Sequence, residues 1–166
     1  MNVSTNFFSP MNDLAPLIAA LQDTTVKKRL AAAQALGRSK NPSAVHLLVQ
    51  ALLDPHKKVR VEAAQSLARL DDAAAVPGLI ATLNDREPEV RASAIAALSR
   101  LKDRRAVEPL CRCLNDREEM CRIGAAEVLG KLGDARAIEP LRQALHDPFS
   151  GVREAADAAI KKLSKK

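Results

Sequence analysis

One spacing governs what this chain can fold into. Asp23, Asp54, Asp85, Asp116 and Asp147 recur every 31 residues, and Arg29, Arg60, Arg91, Arg122 and Arg153 follow them by six. Leu17, Leu48, Leu79, Leu110 and Leu141 keep the same step, as do Leu21, Leu52, Leu83, Leu114 and Leu145. So do Ala32, Ala63, Ala94, Ala125 and Ala156, and then Leu36, Leu67, Leu98, Leu129 and Ile160. A fixed period in so many columns marks a stacked repeat array. The columns predict five units, over about 12–43, 44–74, 75–105, 106–136 and 137–166, forming one domain. Residues 1–11 stand apart as an N-terminal tail or cap.

Each unit reads as two helices of about twelve residues on the periodicity criterion. In the second unit Val45, Leu48, Val49 and Leu52 fall on one helical face, Asp54-Pro55 interrupts, and Val59, Ala63, Leu67 and Leu70 resume. Helices this short are marginal alone and gain stability by stacking. Composition agrees. Of 166 residues 47% are hydrophobic but only 2% aromatic, so Ala, Leu, Val and Ile must build the core. The scarcity of aromatic rings also removes base-stacking platforms. No apolar run approaches the ~18 residues of a membrane span. The first residues, MNVSTNFFSP, lack the basic start and apolar stretch of a secretory signal. Three cysteines, an odd count, read as reduced thiols in a cytoplasmic protein.

The units AVEPLCRCLNDREEMCRIGAAEVLGKLGDAR and AIEPLRQALHDPFSGVREAADAAIKKL resemble HEAT repeats of the phycobilisome-lyase-like class, and the resemblance covers about residues 12–166. It implies an all-α, right-handed α-α superhelix, a HEAT-like solenoid whose second helices line a concave surface. It also implies that the turn Asp and second-helix Arg form a ladder between neighbouring units. That class includes bilin lyases, and fold alone does not choose an activity. The ends read as caps. Arg142, Asp157 and Lys161 replace apolar or small residues of their columns, so no sixth unit is expected; Lys28 replaces a Val and Ser39 a Leu at the start. Phe7 and Phe8 either fold over the first unit or lie in a frayed tail.

Candidate chemistry is sparse. The ladder arginines are expected to be structural. Arg38, Arg69, Arg100, Lys131 and Lys162 close the second helices, where cations suit the carbonyl end of the dipole. With Lys102, Arg104, Arg105 and the C-terminal lysines they also offer a surface to a polyanion, for a net charge of +6. Cys111 and Cys121 sit in Ile and Val columns and Cys113 in an Ala column, so all three read as inert thiols. A C-x-C pair on a helix points its thiols ~200° apart, which is poor for chelation. His46, His56 and His146 occupy three different repeat positions, and no His-Glu pair occurs. No catalytic residue, cofactor or metal is therefore expected.

What remains is the exposed face of the second helices. Lys58, Val61, Glu62, Gln65 and Arg69 point away from the core face, and the column Leu30, Val61, Ala92, Ile123, Glu154 is apolar in all but its last member. Such a stripe on a concave surface predicts a site for a helix or extended segment of another protein. Its expected contacts are Leu30, Lys58, Val61, Gln65, Arg69, Ala92, Arg100, Ile123 and Glu127. Lys27, Lys57 and Lys58 border one end, and Glu87, Glu89, Glu118, Glu119 and Glu127 the other. The sequence thus predicts a non-catalytic protein-binding module. A bilin-lyase-type or phycobilisome-associated factor is the alternative, and a nucleic-acid binder the third reading.

Overall fold

A computed structural model describes residues 14–164. Residues 1–13, with Phe7 and Phe8, and the last two lysines lie outside the described residues. The described chain forms α1 (Ala15–Leu21), α2 (Val26–Arg38), α3 (Ser43–Ala51), α4 (Lys57–Leu70) and α5 (Val76–Thr82). It continues through α6 (Pro88–Leu101), α7 (Val107–Cys113), α8 (Glu119–Leu132), α9 (Ile138–Ala144) and α10 (Ser150–Leu163).

The helices of a pair are unequal, unlike the twelve-residue pairs expected. Even-numbered helices run 13 or 14 residues and odd-numbered ones 7 to 9. The reason is local. Asp72, Asp103 and Asp134 accept the backbone N–H two residues on, at 2.8, 2.8 and 3.1 Å. That tightens Ala73–Ala75, Arg104–Ala106 and Ala135–Ala137 into single 3-10 turns, and the short α-helix starts only after them.

Each odd helix packs on the even helix that follows, and the even helices pack in series, α2 on α4 on α6 on α8 on α10. The Leu columns fill the space between. Leu48, Leu79, Leu110 and Leu141 are fully buried from one layer, and Leu36, Leu67, Leu98 and Leu129 from the other. Each such side chain contributes about 1.5–3 kcal/mol. The even layer is also the tighter one. A Cβ added to Gly37 would stand 2.4 Å from Ser66 Oγ, and one on Gly130 would stand 2.9 Å from Ala159. The odd helices reach the next unit largely through its 3-10 turn. Closer approach in the even layer bends the stack toward it, so the even helices form the inner face. No helix among the described residues is long and apolar enough to cross a membrane.

Candidate functional site

The ladder arginines are engaged and offer no phosphate site. Arg29 donates through Nε and Nη2 to Asp54 at 2.7 and 3.0 Å, and Arg60 to Asp85 at 2.7 and 2.9 Å. Arg91 grips Asp116 at 2.7 and 2.6 Å, and Arg122 grips Asp147 at 2.8 and 3.1 Å. Nη1 of each donates to the carbonyl of its own turn, at Asp23, Asp54, Asp85 and Asp116. Oδ1 of Asp54, Asp85, Asp116 and Asp147 accepts the N–H two residues later, which launches the even helix. Burial pushes the carboxyls of Asp54, Asp85 and Asp116 up, but the guanidinium and this N–H outweigh it and hold them below the usual carboxylate range. Arg122 holds the Asp147 carboxyl low in the same way. Arg153 donates to the carbonyls of Asp147 and Pro148.

The inner face differs from the open apolar stripe read from the sequence. Lys58, Gln65, Arg69, Arg100 and Glu127 are exposed, but Leu30, Val61, Ala92 and Ile123 are half-buried. Ala92 and Ile123 pack against the core, and Ile123 Cδ1 lies where a Cβ on Gly151 would be 3.1 Å away. That column runs in the seam between adjacent even helices. The outward ridge is the column of Gln65, Ala96, Glu127 and Ala158, all exposed.

Glu62, expected to face solvent, is 9% exposed. It sits between α2 and α4, where Oε2 accepts from Gln34 Nε2 at 3.2 Å and Oε1 from Ser66 Oγ at 3.2 Å and Arg69 Nη2 at 2.5 Å. Arg69 also donates to Ser66 Oγ at 2.6 Å. The one Ser66 hydroxyl hydrogen is shared between Glu62 and the nearer Ala33 carbonyl, 2.9 Å away across the interface. Burying a carboxylate requires such partners. The charged flanks are likewise partly consumed: Lys57 Nζ bonds Glu89 at 2.8 Å and lies 3.5 Å from Glu87.

Between α6 and α8 the inner face opens. A cleft of about 320 Å³ has a floor of Ala92, Ile95, Gly124 and Val128, with Ala96 on its edge. Its polar rim is Ser99, Glu127 and Lys131, and Met120, 66% exposed, stands at its edge. Small and aliphatic side chains without a covering element leave an apolar surface open to solvent here. Of the contacts read from sequence, Ala92 and Glu127 line this cleft. Ala96, Ser99, Met120, Gly124 and Lys131 were missed. Their signal was a departure within columns: Met120 follows Lys58 and Glu89, Ala96 follows Gln34 and Gln65, and Gly124 follows Glu62 and Ser93.

A second cavity, of about 430 Å³, lies where α2 and α4 end, with Arg38, Lys40, Arg69 and Asp72 on its wall and Val45 and Leu70 beneath. The thiols lie elsewhere. Cys113 and Cys121 are buried and Cys111 half-buried; burial raises all three, Cys113 to about 11. Thiols raised this way are poor nucleophiles at neutral pH. His46 Nε2 pairs with Gln50, and His56 Nδ1 accepts the Lys58 N–H at the start of α4.

A family model for HEAT repeats matches residues 14–85 and 76–161. No curated protein matches the sequence. Among solved structures, the chain is similar to the complex of CpcE and CpcF of phycocyanin lyase from Nostoc sp. PCC7120, at 30% identity and a TM-score of 0.77. That match covers 90% of this chain and 64% of that one, so this chain spans less than two thirds of the lyase chain's length. A designed armadillo repeat protein in complex with the peptide (KR)4 is similar at 22% identity and a TM-score of 0.66, covering 92% of this chain and 82% of that one. Human deoxyhypusine hydroxylase is similar at 16% identity and a TM-score of 0.54, covering 95% and 98%. The last two likenesses are of fold alone.

Proposed function

The chain belongs to the HEAT-repeat family, and from that premise we propose that it is a protein-binding module, without chemistry of its own, that holds a segment of another protein on its inner face. Residues 12–166 form one solenoid domain of five units in this reading. The observation that carries it is the α6–α8 cleft: an apolar floor, open to solvent, on the face that the even helices share. Lys58, Gln65, Arg69, Arg100 and Glu127 supply the polar surround, and Leu30, Val61, Ala92 and Ile123 the half-buried base. The engaged ladder and the raised thiols support a non-catalytic role, and the free thiols support a cytoplasmic location. Nucleic acid is not the partner in this reading.

The test is an Ala96→Glu, Met120→Glu double variant. Both positions are exposed, so its circular dichroism and melting temperature stay near those of the parent. Partner capture from the native cell extract should be lost, because each carboxylate would be desolvated against an apolar side chain. Undiminished capture of the same proteins by a folded variant sinks the reading.

The similarity to the phycocyanin-lyase complex favours a second reading, a bilin-lyase-type or phycobilisome-associated factor. Co-expression with a bilin and a phycobiliprotein decides it. Pigment attached only when this chain is present supports a lyase role, and unchanged attachment removes it.

A further inference from the structure

The C-terminal ends of the even helices carry a row of five cations, three of which the fold does not use. Arg38, Arg69, Arg100, Lys131 and Lys162 occupy one column and are all exposed. Arg69 is ion-paired, to Glu62, and Lys131 Nζ lies 3.4 Å from Ser99 Oγ. Arg38, Arg100 and Lys162 have no hydrogen-bond or ion-pair partner among the described residues. Most carboxylates of the same edge are occupied. Asp72, Asp103 and Asp134 cap the 3-10 turns, and the last two are also held by Arg105 and Arg136.

The backbone adds an independent observation. The residue two beyond each of the first four cations is left-handed: Lys40 at φ 53°, Asp71 at φ 55°, Lys102 at φ 51° and Gly133 at φ 69°. Glycine takes this conformation without strain, as Gly133 does, whereas a Cβ opposes it. Lysine at two of the four positions gives up local stability and adds two positive charges to this edge, against one carboxylate from Asp71. Strain kept against a better local choice points to a use for the side chain. At one end of the row, Arg38, Lys40 and Arg69 also share the wall of the 430 Å³ cavity.

We propose that this row recognises an acidic, extended segment of the partner protein, in a polyproline-II conformation with a carboxylate at every third residue. The spacing follows from the stack. Helices packed side by side lie about 8–10 Å apart, so successive cations of the column repeat at about that distance. A polyproline-II chain returns to the same face after three residues and about 9 Å, which matches; a β-strand returns after two residues and about 6.7 Å, which does not. The inference rests on the inner face being a protein-binding surface. It concerns the basic edge, which shares only Lys131 with the rim of the α6–α8 cleft, so its failure leaves the cleft's apolar floor standing.

The experiment uses the full chain and a fluorescent peptide of five Pro-Pro-Glu triplets, with anisotropy as the readout. Binding is expected, weakened by salt, and absent for the Pro-Pro-Gln counterpart. An Arg100→Gln, Lys131→Gln double variant should bind about tenfold more weakly, the scale of two exposed ion pairs. Lys102→Gly should melt higher and yet bind more weakly, a pair of opposite signs that a purely structural lysine would not give. Should the double variant fail to fold, the single Lys131→Gln variant carries the same test. The proposal is overturned if the folded variants bind as the parent does, or if a Pro-Pro-Pro-Glu peptide of equal charge binds as well. Tighter binding of an oligo-dT strand than of the acidic peptide overturns it in favour of nucleic acid.

Discussion

The α2–α4 and α6–α8 interfaces use the same backbone positions to opposite ends. At the first, Gln34 and Gly37 of α2 meet Glu62, Ser66 and Arg69 of α4, and bonds from Gln34 to Glu62 and from Ser66 to the Ala33 carbonyl tie the two helices across the inner face. At the second, the corresponding residues are Ala96 and Ser99 of α6 and Gly124, Val128 and Lys131 of α8. There every one but Lys131 is small or apolar, Lys131 Nζ reaches Ser99 Oγ at 3.4 Å, and a cleft of about 320 Å³ remains. The Leu columns and the ladder are alike at both places, so the frame does not distinguish them. Five side chains on a constant frame decide whether the inner face is closed by polar bonds or open to an apolar guest. This is how a repeat protein varies one interface without changing its fold.

The largest expected effect tests that shared frame. Arg29 and Arg91 carry the ladder at these two interfaces, and their side-chain pairs with Asp54 and Asp116 are almost closed to solvent. Replacing either Arg with Gln strands a buried carboxylate, at a cost of about 3 kcal/mol. Chemical denaturation should give losses equal to within ~1 kcal/mol. A larger gap between the two variants would show that the interfaces differ in their frame as well as their surface. The acid limb follows from the same groups. The ladder carboxyls titrate below their unfolded value of about 3.9, so their stabilisation is complete above that pH and is lost as pH falls through the lowered folded values. Melting temperature should drop steeply below about pH 4 in the parent, and Arg91→Gln should flatten that drop.

The next effect belongs to the closed interface. Glu62→Ala removes the acceptor shared by Gln34, Ser66 and Arg69 and should cost about 1–3 kcal/mol. Gly37→Ala forces a Cβ against Ser66 Oγ and Cα, and backbone must move, again at about 1–3 kcal/mol. A Gly37→Ala variant that melts like the parent would mean that α2 and α4 are not held as closely as their contacts require.

Much of this was legible in the sequence, and the limit has a physical cause. The Leu and Ala columns specify buried positions, because an apolar residue repeated at one register can only face the core of a stack. The ladder was legible too, although its partner assignment, Arg91 to Asp116 rather than to Asp85, depends on which turn lies alongside. The short odd helices were not, since a capped 3-10 turn and an α-helical turn share one hydrophobic pattern. Nor was the burial of Ile123, because its column lies in a seam whose depth is set by the helix on either side. The cleft was hidden for the same reason. It is a difference between two neighbouring columns, and reading each column alone shows only a scatter of Ala, Gly and Met.

The smallest expected effect is the sharpest contrast, because it places the same substitution at both interfaces. Gly124 occupies the inner-face position that Glu62 holds in α4, and it lines the cleft instead of spanning it. A Cβ there would meet one atom, Ile95 Cγ2, at 3.3 Å, the tip of a flexible side chain with open space beside it. Alanine improves helix propensity over glycine by about 0.8–1 kcal/mol, and a slight turn of Ile95 takes back part of it. Gly124→Ala should therefore be neutral to stabilising by up to about 1 kcal/mol, whereas Gly37→Ala destabilises. Urea melts of the two variants read that difference in sign directly. A Gly124→Ala variant that loses as much as Gly37→Ala would mean that α6 and α8 close on each other in solution and that no cleft stands open between them.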